Sequence, residues 1–301
     1  MSFFPKRHAS GETLREILER GSLVRAPGCF DALSARVVEQ AGFSVGFLGG
    51  FSVAAARLGL PDVGLLSYGE MVEQARDVCA ATSLPIIGDA DTGYGNAINA
   101  ERTLLGCTQA GLAGVMIEDQ QWPKRCGHTS GKSIVDRQEA LARVRACVRA
   151  REEQKLDVLL MARTDANATD GFDEALWRAQ AFADAGADIT FLEAPSSVEQ
   201  MERYCRLVPG WTTANLVEDG KTPWLEPAQL EEIGYSIVLY PVALLLHSVF
   251  ALRAAADGLA GGVSDGSSRV KFDQVRDLLG WDEYERRLQS IEADPNDTKK
   301  P

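Results

Sequence analysis

Residues 114–128 read GVMIEDQQWPKRCGH, and the order of residue types along them decides the fold. Val115, Met116 and Ile117 form a short apolar run after a glycine, broken abruptly by Glu118 and Asp119. Such a run fits a parallel strand covered on both faces that opens into a polar loop at its C-terminal end. Barrel enzymes hold their chemistry at that end. The loop that follows carries Lys124, Arg125, Cys126 and His128, which sets a thiol among positive neighbours that favour its thiolate.

The same unit repeats on both sides. Residues 11–20 have helical spacing, with Leu14, Ile17 and Leu18 on one face. Short apolar runs at 23–26, 45–48 and 84–88 read as the first three strands, and those at 158–162, 189–192, 211–216 and 236–239 as the last four. Between them lie helical stretches at 31–42, 97–110, 139–151 and 173–185, and one that Ser67 caps and that reaches about residue 81. This alternation predicts an α/β chain folded as a (β/α)8 TIM-type barrel. An open doubly wound sheet has the same local pattern, but no G-x-G-x-x-G follows the first strand and polar residues recur after most strands. The expected organisation is an N-terminal arm and helix over 1–22, a catalytic barrel over 23–260, and a helical extension with a polar tail over 261–301, including one charged helix around 272–291. The apolar run VALLLHSVFALRAAADGLA from Val242 offers more apolar surface than one barrel face covers, which points to a subunit contact.

Composition narrows the function. The 301 residues carry a formal net charge of −12, which repels nucleic acid and anionic membrane surfaces. No secretory signal is expected at the N-terminus, and no segment is expected to be long and apolar enough to span a bilayer. Cys29, Cys79, Cys107, Cys126, Cys147 and Cys205 lack the paired spacing of a zinc site and read as reduced thiols of a cytoplasmic protein.

Polar residues gather at the expected strand ends. Asp89 and Asp91, two apart in DADTG, point to the same side in extended geometry. Two such carboxylates repel unless a cation joins them, and hard oxygen ligands with Glu118 as a third member suit Mg²⁺, with Mn²⁺ as the substitute ion. Arg163 in LLMARTDA is placed to clamp a substrate carboxylate or to neutralise Asp165 or Glu118. Glu193 in TFLEA and Asn215 in TTAN repeat the theme at the next two strands. Cys126 can serve as nucleophile or general acid, and the run CGHTSGK around it reads as a mobile lid.

EDQQWPKRCGH, with GDADTGYG before it and ARTDA after it, resembles the isocitrate lyase and phosphoenolpyruvate mutase superfamily. LGLPDVG at 58–64, FLEAP at 191–195 and ANLVEDGKTP at 214–223 extend the resemblance over about residues 23–260. It implies an α/β barrel whose last helix is swapped between subunits, and a homotetramer built as a dimer of dimers. It also implies that Asp89, Asp91 and Glu118 hold Mg²⁺ directly or through water, with Asp62 close by. Arg163 would meet the substrate carboxylate, and Gly49 and Gly50 would give it backbone N–H groups. Lys124, Arg125, Cys126, Gly127 and His128 match the gating-loop motif of the lyase branch, in which the cysteine is the catalytic acid. Trp122-Pro123 and the LGGF run at 48–51 look most like the branch of petal death protein and 2,3-dimethylmalate lyase. Gly49 stands where many members carry Ser, and Phe47 where isocitrate and methylisocitrate lyases carry a Tyr implicated in proton transfer.

The expected activity is therefore a Mg²⁺-dependent cleavage of a 2-hydroxy dicarboxylate, a 2-alkylmalate such as 2,3-dimethylmalate, to pyruvate or a 2-oxo acid plus a carboxylic acid. Alternatives are an oxaloacetate hydrolase or decarboxylase, for which Ala166 marks a position where a hydroxyl could orient the hydrated substrate, and a 2-methylisocitrate lyase acting on a tricarboxylate. A carboxyphosphonoenolpyruvate phosphonomutase and a non-catalytic binding barrel complete the set.

Overall fold

In the computed structural model, which describes residues 10–127, 131–262 and 269–293, the polar strand ends come together because eight strands close on one another in sequence order. The strands are β1 (Val24–Cys29), β2 (Gly46–Leu48), β3 (Ile86–Asp89), β4 (Gly114–Glu118), β5 (Leu159–Thr164), β6 (Ile189–Leu192), β7 (Trp211–Asn215) and β8 (Ile237–Tyr240). Every neighbouring pair is parallel, and β8 returns to β1 through Val24 opposite Ile237. The helices are α1 (Gly11–Glu19), α2 (Ala32–Gln40), the short α3 (Gly50–Val53) continued by a π-helical turn to Leu58, α4 (Tyr68–Ala81), α5 (Ala97–Gln109) and α6 (Arg137–Gln154). They continue with α7 (Phe172–Asp184), α8 (Val198–Leu207), α9 (Pro227–Ile233), α10 (Ala243–Ala260), α11 (Phe272–Leu279) and α12 (Trp281–Glu292). This is the (β/α)8 barrel that the alternation predicts.

Period-two alternation sorts each strand into two faces. Ile87, Met116, Leu159, Met161, Ile189, Phe191, Ile237 and Leu239 fill the barrel interior, and Leu14 and Leu18 of α1 join the same cluster. Val115, Ile117, Leu160 and Ala162 point outward into the layer shared with the helices. Continuing each inward row by two residues reaches Asp89, Glu118, Arg163, Glu193 and Asn215. The strand pattern that fills the core therefore also delivers these polar side chains to the top of the barrel interior, with Glu118 directly opposite Arg163 in the β4–β5 register.

Capping residues fix where the helices start. Asp31, Ser67 and Asn96 each accept from the backbone N–H three residues on, and each donates its own backbone N–H to that residue's side chain. Two helices, α8 and α9, and the short helix α3 were not expected. Nor was a break in the C-terminal helix, where Gly280 takes a left-handed φ of 77° and separates α11 from α12.

The chain divides into two compact units, one ending at His247 and one beginning at Ser248, so the boundary falls inside α10. The expectation that no segment is long and apolar enough for a bilayer needs correction, because α10 meets both criteria with 18 residues. This helix is the apolar run already noted from Val242, with Arg253 and Asp257 its only formally charged side chains.

Candidate active site

A cavity of about 290 Å³ opens at the C-terminal ends of the strands. Part of its wall is polar, made by Asp62, Asp89, Lys124, Cys126, Arg163 and Glu193, with Asn215 and Glu218 beside them. Much of the rest is apolar, from Phe47, Phe51, Val217, Val242 and Leu246.

The acid cluster is built on β3 and its loop. Asp89 accepts from the backbone N–H of Gly50 at 3.1 Å and of Asp91 at 2.9 Å, which fixes both of its oxygens. Gly50 thus directs its N–H at Asp89, and Gly49 forms the N-cap of α3 beside it. Asp91 has a left-handed φ of 49°, a conformation that aspartate tolerates better than most residues. Lys124 reaches back from the β4 loop and places its ammonium 2.6 Å from Asp62 and 2.7 Å from Asp91. Burial pushes the Asp91 carboxyl up to about 6 against the pull of that ammonium, and Asp89 and Asp62 add to the rise. Burial works against the charge on Lys124, yet Asp91, Asp89 and Asp62 outweigh it and hold the lysine well above its usual value.

Arg163 is the hub of the second cluster. It donates to both oxygens of Asp165, through Nε at 2.8 Å and Nη2 at 3.0 Å. The same guanidinium lies 3.2 Å from Glu193 and 3.4 Å from Glu118, above the Phe191 ring. Asn215 donates to Glu193 at 3.3 Å. Burial pushes Glu118 well above the usual carboxylate range despite Arg163, whereas at Asp165 Arg163 and Lys132 overcome burial and hold the carboxyl below it. Arg163 therefore pairs with Asp165, Glu193 and Glu118, and it also lines the cavity.

The Cys126 loop is tied down at several points. Gln120 accepts from the Arg125 N–H and donates to its carbonyl, at 2.9 and 2.8 Å. Gly127 backs onto the Arg163–Glu193 pair so closely that a Cβ there would lie 2.7 Å from Glu193 Cδ. Cys126 itself is half-buried and lines the cavity. All six cysteines are free, and burial pushes the other five thiols up to about 12. His128 lies outside the described residues.

Sequence reasoning passed over several residues around this site. Lys132 pairs with Asp165 at 2.6 Å. Asp119, pointing away from the cavity, accepts from Thr164 Oγ1, the Asp165 N–H and Arg178. Arg143 donates to the carbonyls of Glu118 and Gln120 and so steadies the exit of β4. Ala166, which offers no hydroxyl to orient a hydrated oxaloacetate, packs in an apolar cluster with Phe172 and Leu176 of α7.

The cluster around Asp89 fits a divalent cation. Glu118 Oε1 is buried without a hydrogen-bond partner among the described residues, and the raised Asp91 and Glu118 carboxyls are short of positive charge. Among the described residues no three acidic, histidine or cysteine side chains converge into a ready-made cage. A metal here would therefore rely on one or two carboxylates and water, as Mg²⁺ commonly does.

Comparison with known proteins converges on one family. The family model described as phosphoenolpyruvate phosphomutase matches residues 14–260. The 2,3-dimethylmalate lyase of Eubacterium barkeri is 42% identical over 272 residues, covering 89% of this chain and 93% of that protein. The chloroplastic carboxyvinyl-carboxyphosphonate phosphorylmutase of Arabidopsis thaliana is 39% identical, covering 91% and 84%. Among solved structures, oxaloacetate acetylhydrolase with 3,3-difluorooxalacetate superposes with a TM-score of 0.90 at 32% identity, over 95% of this chain and 98% of that one. Phosphonopyruvate hydrolase with oxalate and Mg²⁺ does so with a TM-score of 0.80 at 26% identity, over 98% and 99%. A closed parallel barrel with its acids, arginine and cysteine gathered at one rim, matched along nearly its whole length, belongs to the phosphoenolpyruvate phosphomutase family of the PEP mutase/isocitrate lyase superfamily.

Proposed function

We propose that this protein is a divalent-metal-dependent carbon–carbon lyase that cleaves a 2-hydroxy dicarboxylate of the 2-alkylmalate type to pyruvate or another 2-oxo acid plus a carboxylic acid. The observation that carries this reading is the shared cavity: Arg163, Asp62 and Asp89 of the acid cluster, and the Cys126 thiol face one space whose remaining wall is largely apolar. Arg163 and Lys124 supply charge for substrate carboxylates, and Phe47, Phe51, Val217 and Val242 offer an alkyl substituent a dry surface.

Asp89, Asp91 and Glu118, with Asp62 nearby, would hold Mg²⁺ or Mn²⁺, one or two of them directly and the rest through water. When bound, the ion would supply Lewis acidity to the 2-hydroxyl and its adjoining carboxylate. Arg163 orients a carboxylate, itself kept rigid by Asp165 and Glu193. Gly127 packs against that arginine and brings Cys126 over the reacting carbon. As the carbon–carbon bond breaks, the 2-hydroxyl gives its proton to a base of the site and becomes the keto oxygen, and the thiol gives its own proton to the carbanion so formed. A well-placed acid of this kind contributes on the order of 10²–10⁴-fold. Phe47 lines the cavity without a proton to exchange, so the tyrosine route of some relatives is closed to this chain.

A smaller substrate, oxaloacetate, is the second reading, favoured by the likeness to oxaloacetate acetylhydrolase. The assembly proposed is a homotetramer, a dimer of dimers with α10 exchanged between subunits. Phe250 and Leu252, 75% and 69% exposed on that helix, support it. The six free cysteines suit a reducing cytoplasmic setting.

Product analysis by mass spectrometry decides between the chemistries. Purified protein and a Cys126→Ser control are incubated with Mg²⁺ and 2,3-dimethylmalate, 2-methylisocitrate or oxaloacetate. Pyruvate plus a monocarboxylate, depressed at least tenfold in the control, is the expected result. Oxalate plus acetate from oxaloacetate alone would replace the lyase reading with hydrolysis, and equal turnover by the control would remove Cys126 from the mechanism.

A further inference from the structure

We propose that Lys132 is a positioning residue that fastens the Cys126 loop to the arginine hub. Its ammonium, only 2% exposed, donates to the carbonyl of Gly127 at 2.5 Å and to Asp165 Oδ1 at 2.6 Å. Those two acceptors belong to the two halves of the site. Gly127 adjoins Cys126 and packs on Arg163 and Glu193, while Asp165 takes both remaining bonds from Arg163. A continuous path therefore runs from the thiol through Gly127, Lys132 and Asp165 to the guanidinium.

Chemistry favours lysine for the task. A compact charge with three donors on a flexible stem can satisfy a carbonyl and a carboxylate oxygen at once, whereas a planar guanidinium fits two oxygens of one carboxylate. The loop's other fastenings, Lys124 to Asp62 and Asp91 and Arg125 to Gln120, hold residues before the thiol. Lys132 holds the residue after it. With Lys132 in place the carbonyl of Gly127 is pinned, and Cys126 keeps one distance from the carbon it protonates. The catalytic consequence rests on the lyase reading of Cys126; the fastening itself does not.

The test uses Lys132→Met and Lys132→Gln in the full-length protein, and it reads two quantities. The first is the rate at which iodoacetamide modifies Cys126, followed by peptide mass spectrometry with Mg²⁺ and oxalate present. Cys205, also half-buried, serves as an internal report on global opening. The expected result for Lys132→Met is an increase of about tenfold at Cys126, as a local opening would give, with Cys205 unchanged. The second is the split between kcat and KM: displacing the thiol by about 1 Å should lower kcat roughly 10²-fold with little change in KM. Lys132→Gln, which keeps a donor but not the charge, should fall between. A folded Lys132→Met protein whose Cys126 rate stays within about twofold of the parent overturns the proposal, since a residue that merely neutralises Asp165 would lower the melting temperature alone. If Lys132→Met opens globally, so that Cys205 reacts as well, the same criterion is applied to Lys132→Gln. A parent protein without lyase turnover whose Cys126 still responds to Lys132 substitution would refute the function and leave the fastening standing.

Discussion

Replacing Gly127 by alanine should separate activity from stability. The added Cβ would lie 2.7 Å from Glu193 Cδ and Oε2 and closer still to Arg163 Nη2, while ordinary contact begins near 3.4 Å, so at the arginine something must give by about 1 Å. Arg163 cannot yield cheaply, because it is held by Asp165 at two points and flanked by Glu118 and Glu193. Glu193 is buried between Arg163 and Asn215. The loop carrying Cys126, although tied down at several points, is the softer partner, so the expected response is a loop lifted by about 1 Å. Overpacking a rigid core costs about 1–3 kcal/mol, and relief by the loop should keep the loss of folding stability at the lower end. Misplacing a catalytic group by about 1 Å costs about 10²-fold in rate, or about 2.7 kcal/mol of transition-state stabilisation. Steady-state turnover of 2,3-dimethylmalate and urea unfolding on the same preparation measure the two effects. If Gly127→Ala keeps kcat within about threefold of the parent while unfolding at the same midpoint, the close approach of loop and arginine is not what aligns the thiol.

Asp91 carries a pH signature. Burial raises its folded-state pKa from 3.8 to about 6, so the folded protein holds that proton more tightly than the unfolded chain, and this contribution is lost as pH rises through that window. Without metal, Asp91→Asn should therefore gain on the parent between pH 4 and pH 7 by on the order of 3 kcal/mol in urea unfolding, and equal differences at both pH values would contradict the burial argument. Mg²⁺ with oxalate at roughly a hundredfold excess over Kd should stabilise the parent by about 2.7 kcal/mol in thermal unfolding. Oxalate alone should give almost none of this, and a full shift without metal would count against the acid cluster as a cation site. Glu118→Gln should weaken the Mg²⁺-dependent shift while leaving the fold intact by circular dichroism.

The barrel was legible because its strands are short apolar runs with acids or an arginine at fixed ends, and inward residues recur every second position. Extending Met116 to Glu118, or Met161 to Arg163, requires nothing beyond that period. The helix α9 escaped notice because seven residues with only Leu230 buried are too few to repeat an apolar stripe. α8 is amphipathic along its ten residues, with Met201 and Tyr204 buried, and its signal was present in the sequence. The break between α11 and α12 was missed because one left-handed glycine interrupts an otherwise continuous amphipathic pattern. Lys132 was invisible for a different reason. Its value comes from Asp165, 33 residues away, and from a carbonyl, which any residue at position 127 would present. Likewise Arg178 meets Asp119 across 59 residues. Side chains at strand ends announce themselves by register, whereas partners brought in by loops and helices are known only once the chain has closed.

The closed rim is electrically one-sided. Asp62, Asp89, Asp91, Glu118, Asp165 and Glu193 are all buried there, and the cations seen pairing with them are Lys124, Lys132 and Arg163. The rise of Glu118 and Asp91 above their usual ranges is the symptom of that shortage. A dicarboxylate entering such a site would add two more negative charges to a region already unable to keep its own acids ionised cheaply. Arg163 cannot meet this demand alone, since most of its charge is committed to Asp165, Glu193 and Glu118. A divalent cation held there would reverse the local field, favour the ionised forms of Glu118 and Asp91, and release the share of the guanidinium that Glu118 holds. Under the proposed function the charge count therefore predicts an order of binding: the cation would enter before the dianion.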